Sequence, residues 1–467
     1  MAAIRPNRGI LVKHLILIFV VLFSVTFLNA QNIEFKQLRY EEDYGRFTKD
    51  STVSFYENIK YKPFAAGKSY ISFGGEVRYQ YFWFKNPGWG TETEDQDGFI
   101  LNRLLSHADL HFGKKIRIFT QIQSSLIVGS NSQTSPVDEN PFDIHQLFFD
   151  FTIYNKLENQ LTLKLGRQEL AYGSQRLISV REGPNSRQAF DAARFVFIHK
   201  KLRADAFFTT YVNTDKKIID DRFMDFSSQL WGSYIADNLP GQHPGLDFYY
   251  LGVKNNAVFV DESGIEKRHS FGTRIWKKGT MLNYDFEAVY QFGNISKSKI
   301  RAWTVSLNTS ARLKLNSYNP VLGLKTELVS GDKNYDEHQV NTFNPLYPRG
   351  AYFGLASLIG PYNLTDLHPY IQLNINRKCT WSADYDFFWR MSRQDGLYAV
   401  NGDLIHDGRN IRSKNIGSQL STDISLQANP FLYFRLEFTR FNPGAFLQDA
   451  DMGKIIYMAG VTATFKY

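Results

Sequence analysis

The sequence predicts an all-β fold, a transmembrane antiparallel up-and-down β-barrel of about 18 strands. Three observations lead there. Aromatic residues make up 15% of the 467 residues, with 39 Phe and 26 Tyr, yet the mean hydropathy is −0.33. After residue 30 no apolar run reaches the roughly 18 residues of a spanning helix. Polar and apolar residues alternate with period two in segment after segment, which gives each strand a lipid face and a lumen face.

Residues 1–30 read as a cleaved signal peptide. Arg5, Arg8 and Lys13 form a basic start, Leu15 to Leu28 is a nearly continuous apolar run, and Ala30 supplies the small residue at the cut, leaving Gln31 as the mature start. The run is short for about 30 Å of hydrocarbon, which argues against a membrane anchor. The leader holds three basic residues and no acid, so its removal takes the net charge from +8 to +5. That balance is too mild to indicate nucleic acid as a partner. Cys379 is the sole cysteine, which excludes an intrachain disulfide and a cysteine-based metal site.

The alternation is explicit. Ile71, Phe73, Val77, Tyr79, Tyr81 and Trp83 face one way, and Ser72, Glu76, Arg78 and Gln80 the other. Tyr284, Phe286, Ala288, Tyr290 and Phe292 alternate with Asp285, Glu287 and Gln291. Trp381 to Trp389 and Leu432 to Phe438 repeat the pattern. Tyr457, Val461, Phe465 and Tyr467 share one parity, and a last strand ending on an aromatic residue resembles the insertion signal of bacterial outer-membrane proteins. Strands are expected near 69–84, 99–112, 115–127, 143–154, 160–173, 191–199, 202–213, 229–237 and 246–254. Others are expected near 268–276, 281–293, 300–312, 319–329, 367–376, 381–391, 414–427, 431–441 and 455–467. This even number puts the connections at 113–114, 200–201, 277–280, 377–380 and 428–430 on one side and the long ones on the other, as periplasmic turns and outer loops require. Residues 31–68 are then a periplasmic N-terminal extension and 69–467 the barrel.

The densest functional signal runs from Leu165 to Arg194. It holds Arg167, Arg176, Arg181, Arg187 and Arg194 with Glu169, Glu182 and Asp191. Five arginines suit planar, bidentate contacts to carboxylate or phosphate, although a solvated loop with internal salt bridges has the same composition. Strand parity adds Arg78, Arg103, Arg117, Arg274, Lys325, Arg390 and Arg435 to the lumen, with Glu76, Asp109, Asp150, Glu287, Glu327 and Asp423 as acidic partners. Leu161, Leu163 and Leu165 put Arg167 on the lipid parity, where it would be costly, so a bulge at Gly166 is expected to turn Arg167 and Glu169 inward.

This segment resembles the central motif of the alginate-export family: Gly-Arg-Gln-Glu-Leu, Tyr-Gly, Arg-Leu, then an arginine and a Gly-Pro-Asn turn. SYISFGGEVRYQY at 69–81, DIHQLFFDF at 143–151, LDFYYLGVK at 246–254, SGDKN at 330–334 and TFNPLYP at 342–348 follow in the family's order. The resemblance implies an eighteen-stranded pore in the outer membrane of a Gram-negative bacterium. It also implies an arginine-rich constriction for polyuronate carboxylates, carried best by Arg167, Arg176, Arg181 and Arg187. The expected partners are outer-membrane lipid and an acidic polysaccharide or other anionic solute, with the protein acting as a monomer. No cofactor, metal ligand set or catalytic residue is expected.

Three other readings compete, one of them a soluble secreted β-sandwich adhesin, which the sustained strand count and the terminal aromatic residue oppose. A general or small-anion porin would share the fold and the mixed charges. An outer-membrane enzyme would need a nucleophile with its base, or paired carboxylates, at the rim. No Gly-x-Ser-x-Gly or His-Glu-x-x-His occurs, and His107 and His111 sit on one strand face as polar lumen residues.

Overall fold

The computed structural model describes residues 34–45, 47, 55–131, 137–237, 243–260, 262–315, 318–334, 338–354 and 356–467. The expected signal peptide and the mature start at Gln31 lie outside these residues.

Eighteen long strands form the wall. They are β1 (Ser69–Lys85), β2 (Gln96–Phe112), β3 (Ile116–Val128), β4 (Asn140–Lys156), β5 (Asn159–Gln168) and β6 (Phe190–His199). Next come β7 (Leu202–Tyr211), β8 (Gln229–Asp237), β9 (Gly245–Val258), β10 (Ser263–Lys278), β11 (Leu282–Ile295) and β12 (Ser298–Arg312). The last six are β13 (Val321–Val329), β14 (Leu364–Asn374), β15 (Cys379–Arg390), β16 (Asn415–Asn429), β17 (Leu432–Pro443) and β18 (Ile456–Lys466). Each wall strand pairs antiparallel with its sequence neighbours, and β18 closes on β1 from Glu76↔Lys466 to Lys85↔Tyr457. Closure leaves no free edge, which is what a sheet in hydrocarbon needs.

The side-chain alternation follows the expected parity. Phe73 and Tyr81 are exposed on the outer face of β1 while Ser72, Glu76, Arg78 and Gln80 are buried on the inner one. In β11, Phe286, Tyr290 and Phe292 point out and Glu287, Val289 and Gln291 point in. Short turns at 113–115, 157–158, 200–201 and 375–378 gather at one end, and the long connections at 169–189, 212–228, 330–363 and 391–414 at the other. These ends are periplasmic and extracellular respectively.

The lumen is occupied by three segments. Residues 169–189 dip inward from the extracellular side. Residues 341–354 and 356–362 meet them there: Ile178 bridges Tyr347, and Tyr347 N donates to Leu177 O at 2.9 Å. Leu170, Ile178, Phe190, Phe343 and Ile359 bury their apolar surface between them.

The third segment corrects the expectation of a periplasmic extension. Residues 34–45 enter the barrel from the short-turn end. Tyr40 lies edge-on to Phe119 and Phe148, with ring centroids 6.1 and 5.2 Å away, and its hydroxyl donates to Glu169 O at 2.8 Å. Arg39 donates to Gly75 O at 3.1 Å and Tyr467 O at 3.0 Å. The helix Phe55–Lys60 follows, and Lys60 Nζ reaches Tyr467 O at 3.1 Å. Gly74 leaves room beside it, since a Cβ there would stand 2.3 Å from Lys60 Nζ and 2.7 Å from the His107 ring.

Candidate anion conduit

The segment carrying the arginine motif begins where β5 stops at Gln168, several residues short of the expected 173. The chain leaves the wall there, so the β4 residues above Leu147 lose their β5 partner. Residues from the β7–β8 connection fill the gap: Phe142 bridges Ile218, Ile219 N donates to Phe142 O at 2.9 Å, and Asp143 Oδ2 accepts from Asp220 N and Asp221 N.

Arg167 holds this junction and does not line the pore. The β5–β6 register runs unbroken through Gly166, with Leu165 opposite Ala193 and Arg167 opposite Asp191, so Arg167 keeps the outward parity of Leu165. The expected bulge is absent. Gly166 instead takes φ +125°, and a Cβ there would sit 2.3 Å from Leu147 O. The cost of an outward arginine is met by cover. Arg167 is fully buried, its Nε donates to Asp191 Oδ1 at 2.9 Å, and its other nitrogens reach Ile144 O, Asp221 O and Arg222 O. Phe223 lies 3.9 Å over the guanidinium.

The remaining motif residues do enter the lumen. Glu169 accepts from Arg187 Nη2 at 3.0 Å and faces His145 Nε2 at 2.8 Å. Arg176 bonds Glu327 at 3.0 Å and the Tyr352 hydroxyl at 2.9 Å, and stands 3.4 Å from Glu287. Arg181, at φ 52°, donates to the Tyr211 hydroxyl at 3.0 Å. Arg194 grips Asp205 at 2.5 Å.

The wall cations divide by partner. Arg103 sits between Glu76, at 2.5 Å, and Glu182. Arg117 pairs with Asp109 at 2.7 Å, and Arg274 with Asp247 and Asp285 at 2.8 and 2.7 Å. Lys325 lies 4.9 Å over the Tyr370 ring. Arg390 departs from the pore-lining expectation. It is 1% exposed and donates to five carbonyls, among them Gly408 O and Ile411 O, so it fastens the β15–β16 loop.

Arg78 and Arg187, both buried, and the half-buried Arg435 remain. They line a cavity of about 930 Å³ beside β16, β17, β18 and β1. Arg78 is oriented by Glu182 O at 2.8 Å and Pro184 O at 2.9 Å, and Arg435 by Asp423 at 3.3 Å. The same cavity holds Lys36, Arg39, Arg377, Lys378 and Lys466, none of which the sequence reading selected. Lys36 and Arg39 ride on the inserted N-terminal segment. Arg377 and Lys378 sit in a four-residue turn where strand parity says nothing. Besides the lining acids Glu34, Glu76 and Glu182, Glu42 pairs with Arg39, Glu169 with Arg187, and Asp423 and Glu437 with Arg435, so Arg377 and Lys378, without an acidic partner among the described residues, are the cations best placed to attract an anion.

Two groups have the composition of a cation site: His368 with Asp384 and Asp386, and Asp143 with Asp220 and Asp221. In the first, Nδ1 lies 2.5 Å from Asp386 and Nε2 3.3 Å from Asp384, so each ring nitrogen already faces a carboxylate. In the second, the Asp143 carboxylate is already taken by backbone N–H groups.

Solved structures share the fold at low identity. Pseudomonas aeruginosa OpdO matches with TM-score 0.54 and 11% identity, covering 85% of this chain and 97% of its own. P. aeruginosa OccK2 (OpdF), solved in complex with glucuronate, matches with TM-score 0.54 and 12% identity over 85% of this chain and 96% of its own. Acinetobacter baumannii OccAB4 matches with TM-score 0.56 and 11% identity over 85% and 98%. No curated protein sequence matches. The family model described as alginate export matches residues 69–459. Barrel and family together mark an outer-membrane channel of a Gram-negative bacterium. The chain therefore belongs to the alginate-export family.

Proposed function

We propose that the protein conducts anionic polysaccharide, alginate or a related polyuronate, passively through the outer membrane. The observation that supports this most is the basic cavity of about 930 Å³ beside β16–β18 and β1. Arg377 and Lys378 stand at its periplasmic mouth with no carboxylate partner among the described residues, and Lys378 Nζ contacts only Ala428 O, at 2.8 Å. A uronate carboxylate arriving from the periplasm meets these free cations first and Arg435, Arg78 and Arg187 further in. The inner cations share their charge with Asp423, Glu182 and Glu169, which keeps each contact weak enough for release, as conduction requires. No chemical step is needed, and the family and fold are those of transport channels.

A second reading is a porin for small anions or short oligosaccharides. The three segments inside the lumen favour it, because they occupy space that a polymer would have to thread. The glucuronate bound to OccK2 is a single uronate. Planar-bilayer recording with polyuronate of graded length separates the two. Block that strengthens with chain length supports the polymer conduit, and equal block by monomer and polymer supports the small-anion porin. A channel without anion preference defeats both.

A further inference from the structure

The outer surface carries a pattern that the conduit does not use. Across β9 to β12 the outward residues form rows in register. Tyr250, Phe271, Tyr290 and Trp303 make one row. Two residues nearer the extracellular end come Gly252, His269, Phe292 and Arg301. Two residues further come Lys254, Lys267, Asn294 and Lys299. The four cations are exposed, no acid stands in any of these rows, and no salt bridge to them occurs among the described residues.

Like charges directly opposite on neighbouring strands destabilise a sheet. Lys254 and Lys267 nonetheless hold that position, with Lys299 in the same row. The aromatic row below them marks the membrane–water interface. The cations therefore stand at headgroup level of the outer leaflet. Strands lie about 4.8 Å apart, so the lysine row spans about 14 Å. Beside Trp303 the positive rim continues as a cavity of about 480 Å³ that Lys333, Arg393 and Lys414 line without an acid.

We infer that this outward rim is a binding site for the phosphorylated headgroup of an outer-leaflet glycolipid, with Lys254, Lys267, Lys299 and Arg301 as phosphate ligands. Ammonium and guanidinium groups make charge-assisted bonds to phosphate oxygens, and a bound phosphate removes the repulsion within the row.

Native mass spectrometry of the full chain in detergent tests this with three probes: lipid A bearing both phosphates, the same lipid dephosphorylated, and inorganic phosphate. The phosphorylated lipid is expected to stay bound, and the dephosphorylated form to bind at least about tenfold less. Excess inorganic phosphate is expected not to displace the lipid. The variant K254Q/K267Q/K299Q/R301Q should lose retention by a similar factor while keeping the heat-modifiable mobility of a folded barrel. Should that variant not fold, Lys267→Gln is compared with Lys277→Gln, which changes an outward lysine at the periplasmic end of β10. Only the former should weaken binding. Equal binding of the two lipid forms, unchanged binding by the folded variant, or displacement by inorganic phosphate overturns the inference.

Discussion

The Arg167 guanidinium meets the Asp191 carboxylate through two bonds, Nε to Oδ1 at 2.9 Å and Nη2 to Oδ2 at 3.2 Å, on the outward side of the wall. Both side chains are roofed by the 212–228 connection, whose Met224 N also donates to Asp191 at 2.8 Å. A motif arginine thus seals the place where the motif leaves the sheet.

Arg167→Ala should accordingly damage the wall and leave the permeation path alone. It strands a buried carboxylate and frees three carbonyls, a loss of about 3–5 kcal/mol for breaking a buried pair. The expected result is a lower unfolding temperature and faster proteolysis within 212–228, with ion selectivity unchanged in the channels that do assemble. A selectivity change without loss of stability would return Arg167 to the conduit.

Arg377 and Lys378 should behave in the opposite way. Neither has an acidic partner to strand among the described residues, so the double change to Gln should leave folding intact. Each exposed charge contributes roughly 0.5–1 kcal/mol to holding a carboxylate. The blocking concentration of polyuronate in a planar bilayer should therefore rise on the order of 5- to 30-fold. An unchanged block would remove the periplasmic mouth from the path.

Tyr40→Ala should loosen the inserted N-terminal segment. It removes a ring set edge-on to Phe119 and Phe148 and the bond to Glu169 O. Truncating a buried aromatic costs about 3–5 kcal/mol, enough to free residues 34–45 from the lumen. Single-channel conductance should increase, and a conductance equal to that of the parent would mean that the segment does not obstruct flow.

Docking of that segment should also depend on pH through Lys60. Its amine is fully buried, and burial together with the neighbouring Arg39 pushes it down to about 7. A base whose folded value lies below its unfolded one opposes docking in full below pH of about 7, and the opposition is released as pH rises toward about 10. The protection of residues 36–44, their exchange rate relative to the intrinsic rate at each pH, should rise across that window, and Lys60→Met should flatten the dependence. Protection that is the same at both ends of the window, with the observed rate rising as fast as the intrinsic one, would contradict the linkage.

Much of this architecture was legible in the chain. Period-two alternation marks strands wherever one face meets lipid and the other meets water, so every wall strand from Ser69 to Lys466 was found within a few residues. The parity of Glu76, Asp109, Asp150, Glu287, Glu327 and Asp423 also named true partners for lumen cations: Arg103, Arg117, Lys164, Arg176 and Arg435. Parity is a local property, and the sequence determined it alone.

Tertiary structure decided whatever depends on segments far apart in the chain. Arg167 faces outward because β5 ends early and a distant connection covers it. Arg390 is spent on loop carbonyls because the chain returns past it at Gly408 and Ile411. Lys36, Arg39, Arg377 and Lys378 reach the cavity through an inserted segment and a turn that carry no periodicity. Alternation tells which face of a strand a residue occupies; only the folded barrel sets which segments fill the space that face looks into.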